Sequence, residues 1–535
     1  MLSYRKLAMR VLGRPLHTGG IDSPRPASQR AAAFILTAAM LTTLAAPAFA
    51  DIWHIENGDI TISAGESGNN VTQNNNTTYG DTNTIITNQN KDTASSHTVT
   101  IEAKDKDDKV EVTLKDVNID TSSRNKAAVS VTGEGDTNIK LDGDNALKSD
   151  IYRSGIYGSG SGSLTISGGE NDSLTAQGGS GANGISSSGS LTISGGTVTA
   201  NGDDGGRGIS SSGSVTISGG STVTANGGSG TISGGDGICS SGGVTISGGS
   251  TVTANGGNGG SLVGGDGIRS DGGVTISGGT VKAAGGDSKD GYGGDGIRSG
   301  GGVTISGNTV NAAGGNGGKV GGYGICSFDR VAISGGTVEA AGGNGSTGGG
   351  SGIYSSVIDL SGSLELTAKA GSPNGKALSQ KGSELVLDTI KDKLGPGAKV
   401  TATDADGKVI DQVSTPRPVE PEESSSSSDG GSAAPSAPAS PLPGLTVTDK
   451  DGQRISYTST QSGNTLTVCV GRLTASFRIS LAALRQLRAE GIETIAFQTV
   501  LCSTTLSVDE LLAMGGENAE AVLTHRFTDS SLTVG

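Results

Sequence analysis

Between Asp51 and Ser372 the chain has no proline at all. Its 94 glycines therefore do not spell collagen, which needs a strict Gly-X-Y period rich in proline. Aromatic residues make up 3% of the 535 residues, with a single tryptophan, and an ordinary single-core globule does not fit that length and composition. Four cysteines do not make a disulfide scaffold. The four histidines (His17, His54, His97 and His525) are scattered, with no His/Cys metal spacing, no nucleophile motif and no phosphate loop. Positive charge is also short. The net charge of −14 repels a polyanion such as nucleic acid, and acidic polysaccharide as well unless divalent cations bridge the two, and no basic stripe is legible in the sequence to argue otherwise.

Residues 1–50 read as an export signal. Arg5, Lys6, Arg10, Arg14, Arg25 and Arg30 form a basic start, Ala31–Ala46 is apolar, and Ala48-Phe49-Ala50 is a small-x-small cleavage site before Asp51. The apolar stretch is short for a spanning helix, which needs ~20 residues. Cleavage removes six cations and Asp22, leaving a secreted chain of charge −19. No later segment is long and apolar enough to span a membrane as a helix.

What is abundant is glycine in a pattern. From Gly155 to Ile353 it is 67 of the residues. The low apolar content, 32%, leans towards disorder, but short apolar words recur at fixed spacing. The first word is Gly-Ile, as at Gly208-Ile209, Gly237-Ile238, Gly267-Ile268 and Gly296-Ile297. The second is (Val/Leu)-Thr-Ile-Ser, as at Leu191, Val215, Val244 and Val274. The third is Thr-Val-x-Ala, as at Thr197, Thr222, Thr251 and Thr280. Each word alternates apolar with small polar residues, the period of a strand. Three short strands per 24–30-residue unit predict a mainly β chain folded as a parallel β-helix of ten to twelve coils over residues 51–413. Interior strands of such a stack need every backbone N–H, which accounts for the missing proline. The pattern points Val244, Ile246, Val252 and Ala254 inward and stacks Asn201, Asn226 and Asn255 at one corner. Glycine is expected to serve the positive φ of the corners.

Residues 414–443 switch to Pro, Ser, Ala and Glu and read as a linker. Residues 444–535 predict a small α/β domain. One helix starts at Ser480 and stops at Gly491, and a second opens on the capping box Ser507-x-x-Glu510. Cys469 and Cys502 fall in predicted strands there, as a pair or as two free thiols. Cys239 and Cys326 sit three coils apart, ~14 Å at strand spacing, too far for a disulfide.

Candidate chemistry lies where the repeat varies in length, between the third word and the next Gly-Ile. Asp236, Asp266 and Asp295 hold one repeat position in consecutive coils, and Asp287 and Asp290 lie in the same loops. Stacked carboxylates repel unless a cation sits between them or they splay into water. Oxygen donors in flexible loops suit Ca²⁺, so these five are the candidate metal ligands, with a solvated acidic loop as the alternative. Arg269 and Arg298 follow Asp266 and Asp295 by three residues, as surface ion pairs or as a clamp for uronate carboxylates. Tyr292 and Tyr323 are placed to stack on sugar rings or to fill space. Asp404-x-Asp406-Gly407 and Asp449-x-Asp451-Gly452 are half calcium loops or plain Asp-Gly turns.

The repeat Gly-Ile…Val-Thr-Ile-Ser-Gly-Gly…Thr-Val-Thr-Ala-Asn-Gly-Gly at 208–228 and 237–257 resembles the secreted carbohydrate-binding β-helix family that includes pectin-binding proteins of plant-degrading bacteria, as does Val-Glu-Val-Thr-Leu-Lys-Asp-Val-Asn-Ile at 110–119. The resemblance spans roughly residues 51–410. It implies a right-handed β-helix, bound calcium and affinity for acidic plant polysaccharide. It carries over no individual ligand residue, because the loops here are longer and richer in glycine. The leading expectation is a secreted, non-catalytic, calcium-assisted binder of acidic polysaccharide. Two others stay open: a surface adhesin or structural rod that binds a protein or host surface, and a polysaccharide lyase with Arg269 or Arg298 as its base.

Overall fold

A computed structural model describes residues 51–416 and, with short interruptions, 445–534. The signal, nearly all of the linker and Cys502 lie outside the described residues. The described residues form two compact units, one on each side of residues 417–444.

The first unit is a parallel β-solenoid of about 13 turns, slightly more than the repeat count predicts. The Gly-Ile words form the first column of stacked strands, from Ile60–Gly65 through Ile209–Ser211, Ile238–Ser240, Ile268–Ser270 and Ile297–Ser299 to Leu378–Gln380. The Val-Thr-Ile-Ser words form the second, including Val215–Ser218, Val244–Ile246 and Val274–Ile276. The Thr-Val-x-Ala words form the third, a 12-stranded sheet from Asn118–Asp120 to Lys399–Thr403 closed by antiparallel Val409–Ser414. In every column a residue pairs with its repeat equivalent one coil away, for example Thr222↔Thr251 and Val223↔Val252. Where Phe328-Asp329-Arg330 replaces the glycine step, the first two words fuse into one strand, Ile325–Ile333.

Alternation decides the core. Val244, Ile246, Val252 and Ala254 are at most 1% exposed, and the Ile of each Gly-Ile word is fully buried. The inward Ser of the first column is tied as well. Ser240, Ser270 and Ser299 donate their hydroxyls to Gly213, Gly242 and Gly272 carbonyls at 2.7–2.8 Å. The Asn column forms as the repeat predicts: Asn226 Nδ2 donates to Asn201 Oδ1, and Asn255 Nδ2 to Asn226 Oδ1, each at 2.8 Å. Both ends are finished by antiparallel or irregular segments, which removes open strand edges. At the start these are Gly68–Gln73 and Asn76–Asp81, and near the end a 3-10 helix, Leu387–Lys393, stands where the sequence predicts another strand word at Leu385–Leu387.

Glycine does two jobs, and the second is not the expected one. At the corner between the second and third columns Gly219, Gly220, Gly248 and Gly249 hold φ of +64° to +74°, as expected of corners. In the long loops the glycines lie outside that region and are required by close approach. Each loop runs out and back as two limbs in backbone contact. Gly265 N–H donates to Gly257 O in its own loop, Gly257 N–H donates to Gly235 O one coil back, and Gly286 N–H donates to Gly265 O one coil on, all at 2.8 Å. The zigzag continues unbroken from Gly371 back to Gly206. A methyl group on Gly235, Gly265, Gly294 or Gly322 would overlap the carbonyl oxygen of the equivalent glycine in the preceding coil.

Among its described residues the second unit holds two four-stranded sheets and two helices, Leu481–Ala489 and Val508–Met514. Ser480 Oγ accepts from Ala483 N–H at 3.2 Å and Gly491 takes φ +91°, so the first helix starts and stops where its sequence signals place it. Leu481, Leu484, Phe477 and Phe497 form its core. Cys469 is a free thiol that donates to Gln498 Oε1 at 3.3 Å.

The two glycine roles separate by substitution. Gly249→Ala meets nothing within 4 Å and suffers only the left-handed backbone, about 1–2 kcal/mol. Gly265→Ala forces two limbs apart and should exceed the ~1–3 kcal/mol usual for overpacking. Urea midpoints should rank Gly265→Ala well below Gly249→Ala; equal midpoints would remove the close-packing argument.

Candidate functional site

The out-and-back loops bring their second limb against the first column, immediately before each Gly-Ile. The residue ahead of that glycine is Asn183, Arg207, Asp236, Asp266, Asp295 and Tyr323 in successive coils. The zigzag clamps the limb, so these side chains form a straight row. Beside it the outward residues of the first column make a second row: Tyr157, Ser186, Ser210, Cys239, Arg269, Arg298, Cys326 and Tyr354. Between the rows and the loop limbs lies a groove of about 530 Å³. Arg207, Asp236, Asp266, Arg269 and Arg298 line it together with Asn183 and loop glycines.

The Asp row is not an open cation site. Asp236, Asp266 and Asp295 are 5–6% exposed. Each Oδ1 accepts the backbone N–H of its equivalent one coil on: Asp236 from Asp266 at 2.9 Å, Asp266 from Asp295 at 2.7 Å and Asp295 from Tyr323 at 2.7 Å. Asn183 does the same for Arg207 at 2.8 Å. Asp287 belongs to a separate ladder at the start of the loops, accepting from Asn316 N–H at 2.6 Å and donating its own N–H to Asn258 Oδ1 at 2.9 Å. Asp290 is exposed at the loop end. The five expected ligands are thus split among three places, and four of them answer a backbone requirement. Among the described residues no three His, Cys, Asp or Glu side chains converge as a metal site. This arrangement lends no support to the expected calcium role of these aspartates; what it shows for Asp236, Asp266, Asp295 and Asp287 is an oxygen capping a backbone N–H. Asp404 likewise caps its own turn, accepting from Asp406 and Lys408 N–H at 3.0 and 2.9 Å.

Burial without full pairing perturbs the row. Desolvation, reinforced by the charges of Asp295 and Asp236, holds the Asp266 carboxyl well above the usual range. Burial likewise pushes Asp295 up to about 6, against the pull of the Tyr323 N–H and of Arg298. Asp295 Oδ2 has no hydrogen-bond partner, and Arg298 Nη1 stands 3.7 Å from it. Arg207 Nε reaches Asp236 Oδ2 at 3.2 Å. Arg269 is different. Half-buried between them, its guanidinium makes no ion pair or hydrogen bond among the described residues, although Asp236 and Asp266 both raise its pKa against the opposing effect of burial. Cys239 and Cys326 are free, with burial pushing the Cys239 thiol up to about 11 and Cys326 higher still, so both are inert.

The tyrosines divide. Tyr323 stacks on Tyr354 with centroids 5.0 Å apart, one coil beyond Arg298, and Tyr292 stands 55% exposed on the loop tips, outside the groove. The groove unites Arg269 and Arg298 but not Tyr292. The overlooked member is Arg207. Its signal was in the sequence, because it fills the repeat position of Asp236 one coil earlier.

No family model matches the chain, and no curated protein or solved structure matches it either. The fold defines its class, a parallel β-solenoid repeat protein, and no helix among the described residues is long and apolar enough to cross a membrane.

A proton sits more tightly on the folded Asp266 and Asp295 than on the unfolded chain, so folding stability should rise as pH falls from 7 towards 4. Asp266→Asn keeps the ladder acceptor, as Asn183 does, and removes the buried charge. It should be more stable than the parent at pH 7 by an amount of order 1 kcal/mol and show a flatter pH dependence. Unfolding followed at pH 5 and 7 checks this; an unchanged slope refutes the shared-burial account.

Proposed function

We propose that the chain is a secreted, non-catalytic binder of acidic polysaccharide, with the anion held in the Arg207–Arg269–Arg298 groove. The observation that carries this reading is the Arg269 guanidinium, half-buried in a groove with no protein partner. Asp236 and Asp266 favour its charge without hydrogen-bonding to it, and a ligand carboxylate offers the planar, bidentate partner that it lacks. Arg207 and Arg298 carry an aspartate each and would share it with a ligand. The reading keeps the carbohydrate side of the family resemblance and does not call on calcium, since one oxygen of each row aspartate already accepts a backbone N–H and no three acidic side chains converge as a metal site among the described residues. The export signal puts the groove outside the cell.

A second reading, a surface rod with a protein target, is favoured by one feature. Ile232, Leu262 and Tyr292 are each more than half exposed on successive loop tips, an apolar stripe that monomeric proteins tend to cover.

Titration calorimetry with short oligouronates and their neutral, esterified counterparts separates the two. The acidic form should bind, unaffected by chelator, and Arg269→Ala should weaken it at least tenfold, about 1.4 kcal/mol. Binding of the neutral form alone, or an Arg269→Ala protein with unchanged affinity, overturns the reading.

A further inference from the structure

A second cavity, of about 360 Å³, opens on the same face nearer the chain start, lined by Asn125, Lys126, Arg153 and Tyr157 with Thr100 and Ser130. Its position follows from register. Tyr157 pairs with Ser186, and the outward row then runs through Ser210, Cys239 and Arg269 to Arg298. Four coil steps at ~4.8 Å, from Tyr157 to Arg269, set the two anchoring groups about 19 Å apart along one straight row. The rod surface between them is small and polar, with the Ser186 and Ser210 hydroxyls in line.

The chemistry of the second site repeats that of the first. Arg153 bonds only the amide oxygen of Asn125, Nε to Oδ1 at 3.1 Å, and has no carboxylate within ion-pair distance among the described residues. Lys126 sits 3.0 Å from Asp59, but Arg124 already holds that carboxylate through both guanidinium nitrogens at 2.7 and 3.1 Å. The nearby Asp150 carboxylate is engaged by the backbone N–H groups of Asn125 and Ile151. Tyr157 is 44% exposed and offers a ring face beside Arg153. In a chain of net charge −14, two cation-bearing cavities in line on one face are a departure from the rest of the surface.

We propose that the Lys126–Arg153–Tyr157 cavity is a second anion subsite, and that one extended acidic polysaccharide runs parallel to the rod axis through both sites. The proposal rests on the groove reading above, and it adds a length requirement. Two collinear sites on a rigid rod act as a divalent receptor, and a ligand gains from both only when it spans the distance.

The test is the affinity of size-fractionated oligouronates, measured by calorimetry on the full chain. Oligomers shorter than about 19 Å, four coil steps, should bind weakly and lose binding in Arg269→Ala. Affinity should step up at least tenfold once the oligomer exceeds that length. Arg153→Gln should remove the step and leave short-oligomer binding unchanged, and Arg153→Glu should bring long oligomers below the short-oligomer value. Melting curves of both variants check that the coil is intact; if one unfolds, Tyr157→Ala, at an exposed ring, carries the same expectation. A smooth rise with length, or a step that survives these variants, overturns the second subsite while the groove reading stands. Absence of short-oligomer binding sinks the groove reading instead.

Discussion

Every coil must present its backbone to the next at strand spacing, and that one constraint orders the whole solenoid. In the three columns it is met by ordinary parallel ladders between alternating words. In the long loops no alternating word exists, and the same demand is met by glycine alone. Two bare limbs approach until carbonyl and amide meet, each glycine bonding first within its own loop and then across to the neighbouring one. Segments that composition would class as flexible become as regular as the strands. The cost is that no side chain larger than hydrogen is tolerated along the contact.

The electrostatics of the groove follow from that clamp. Because the second limb cannot shift, the residue it delivers ahead of each Gly-Ile is held against the first column, out of water. An aspartate there has one oxygen consumed by the next coil's amide and the other left to find a cation. Arg207 reaches Asp236 closely and Arg298 stands farther from Asp295, and burial makes Asp266 and Asp295 hold their protons more tightly. Arg207 pairs with Asp236 and Arg298 stands nearest Asp295, which leaves Arg269 without a fixed partner. A rigid backbone, rather than a flexible acidic edge, creates the site.

Much of the fold was legible because its signals are local and repeated. The words around Val244 and Thr251 announce strands by period, and their copies announce the pairing partner. The helix from Ser480 to Gly491 follows from its cap and its stop. The site was legible in part. The row of Asp236, Asp266 and Asp295 and the register of Arg269 with Arg298 came from aligning the repeat, but their chemistry did not. A stack of acidic residues reads as a cation site until the Oδ1 atoms are seen to face backbone amides. Arg207 was passed over because it breaks the acidic pattern of its position. Tyr292 and Tyr323 looked equivalent in loop sequence and proved to lie on different surfaces.

The repeat words by themselves determined the columns, the inward set of Val, Ile and Ala, and the exclusion of proline, because strand period and pairing are properties of neighbouring residues. Tertiary structure alone decided what the glycines do and what the charged residues between them face. Whether a glycine is a left-handed corner, like Gly249, or a contact point, like Gly265, depends on what lies one coil away. Whether an aspartate binds a cation or a backbone depends on the direction in which a clamped limb aims it. Both are distances across the stack, and no spacing along the chain encodes them.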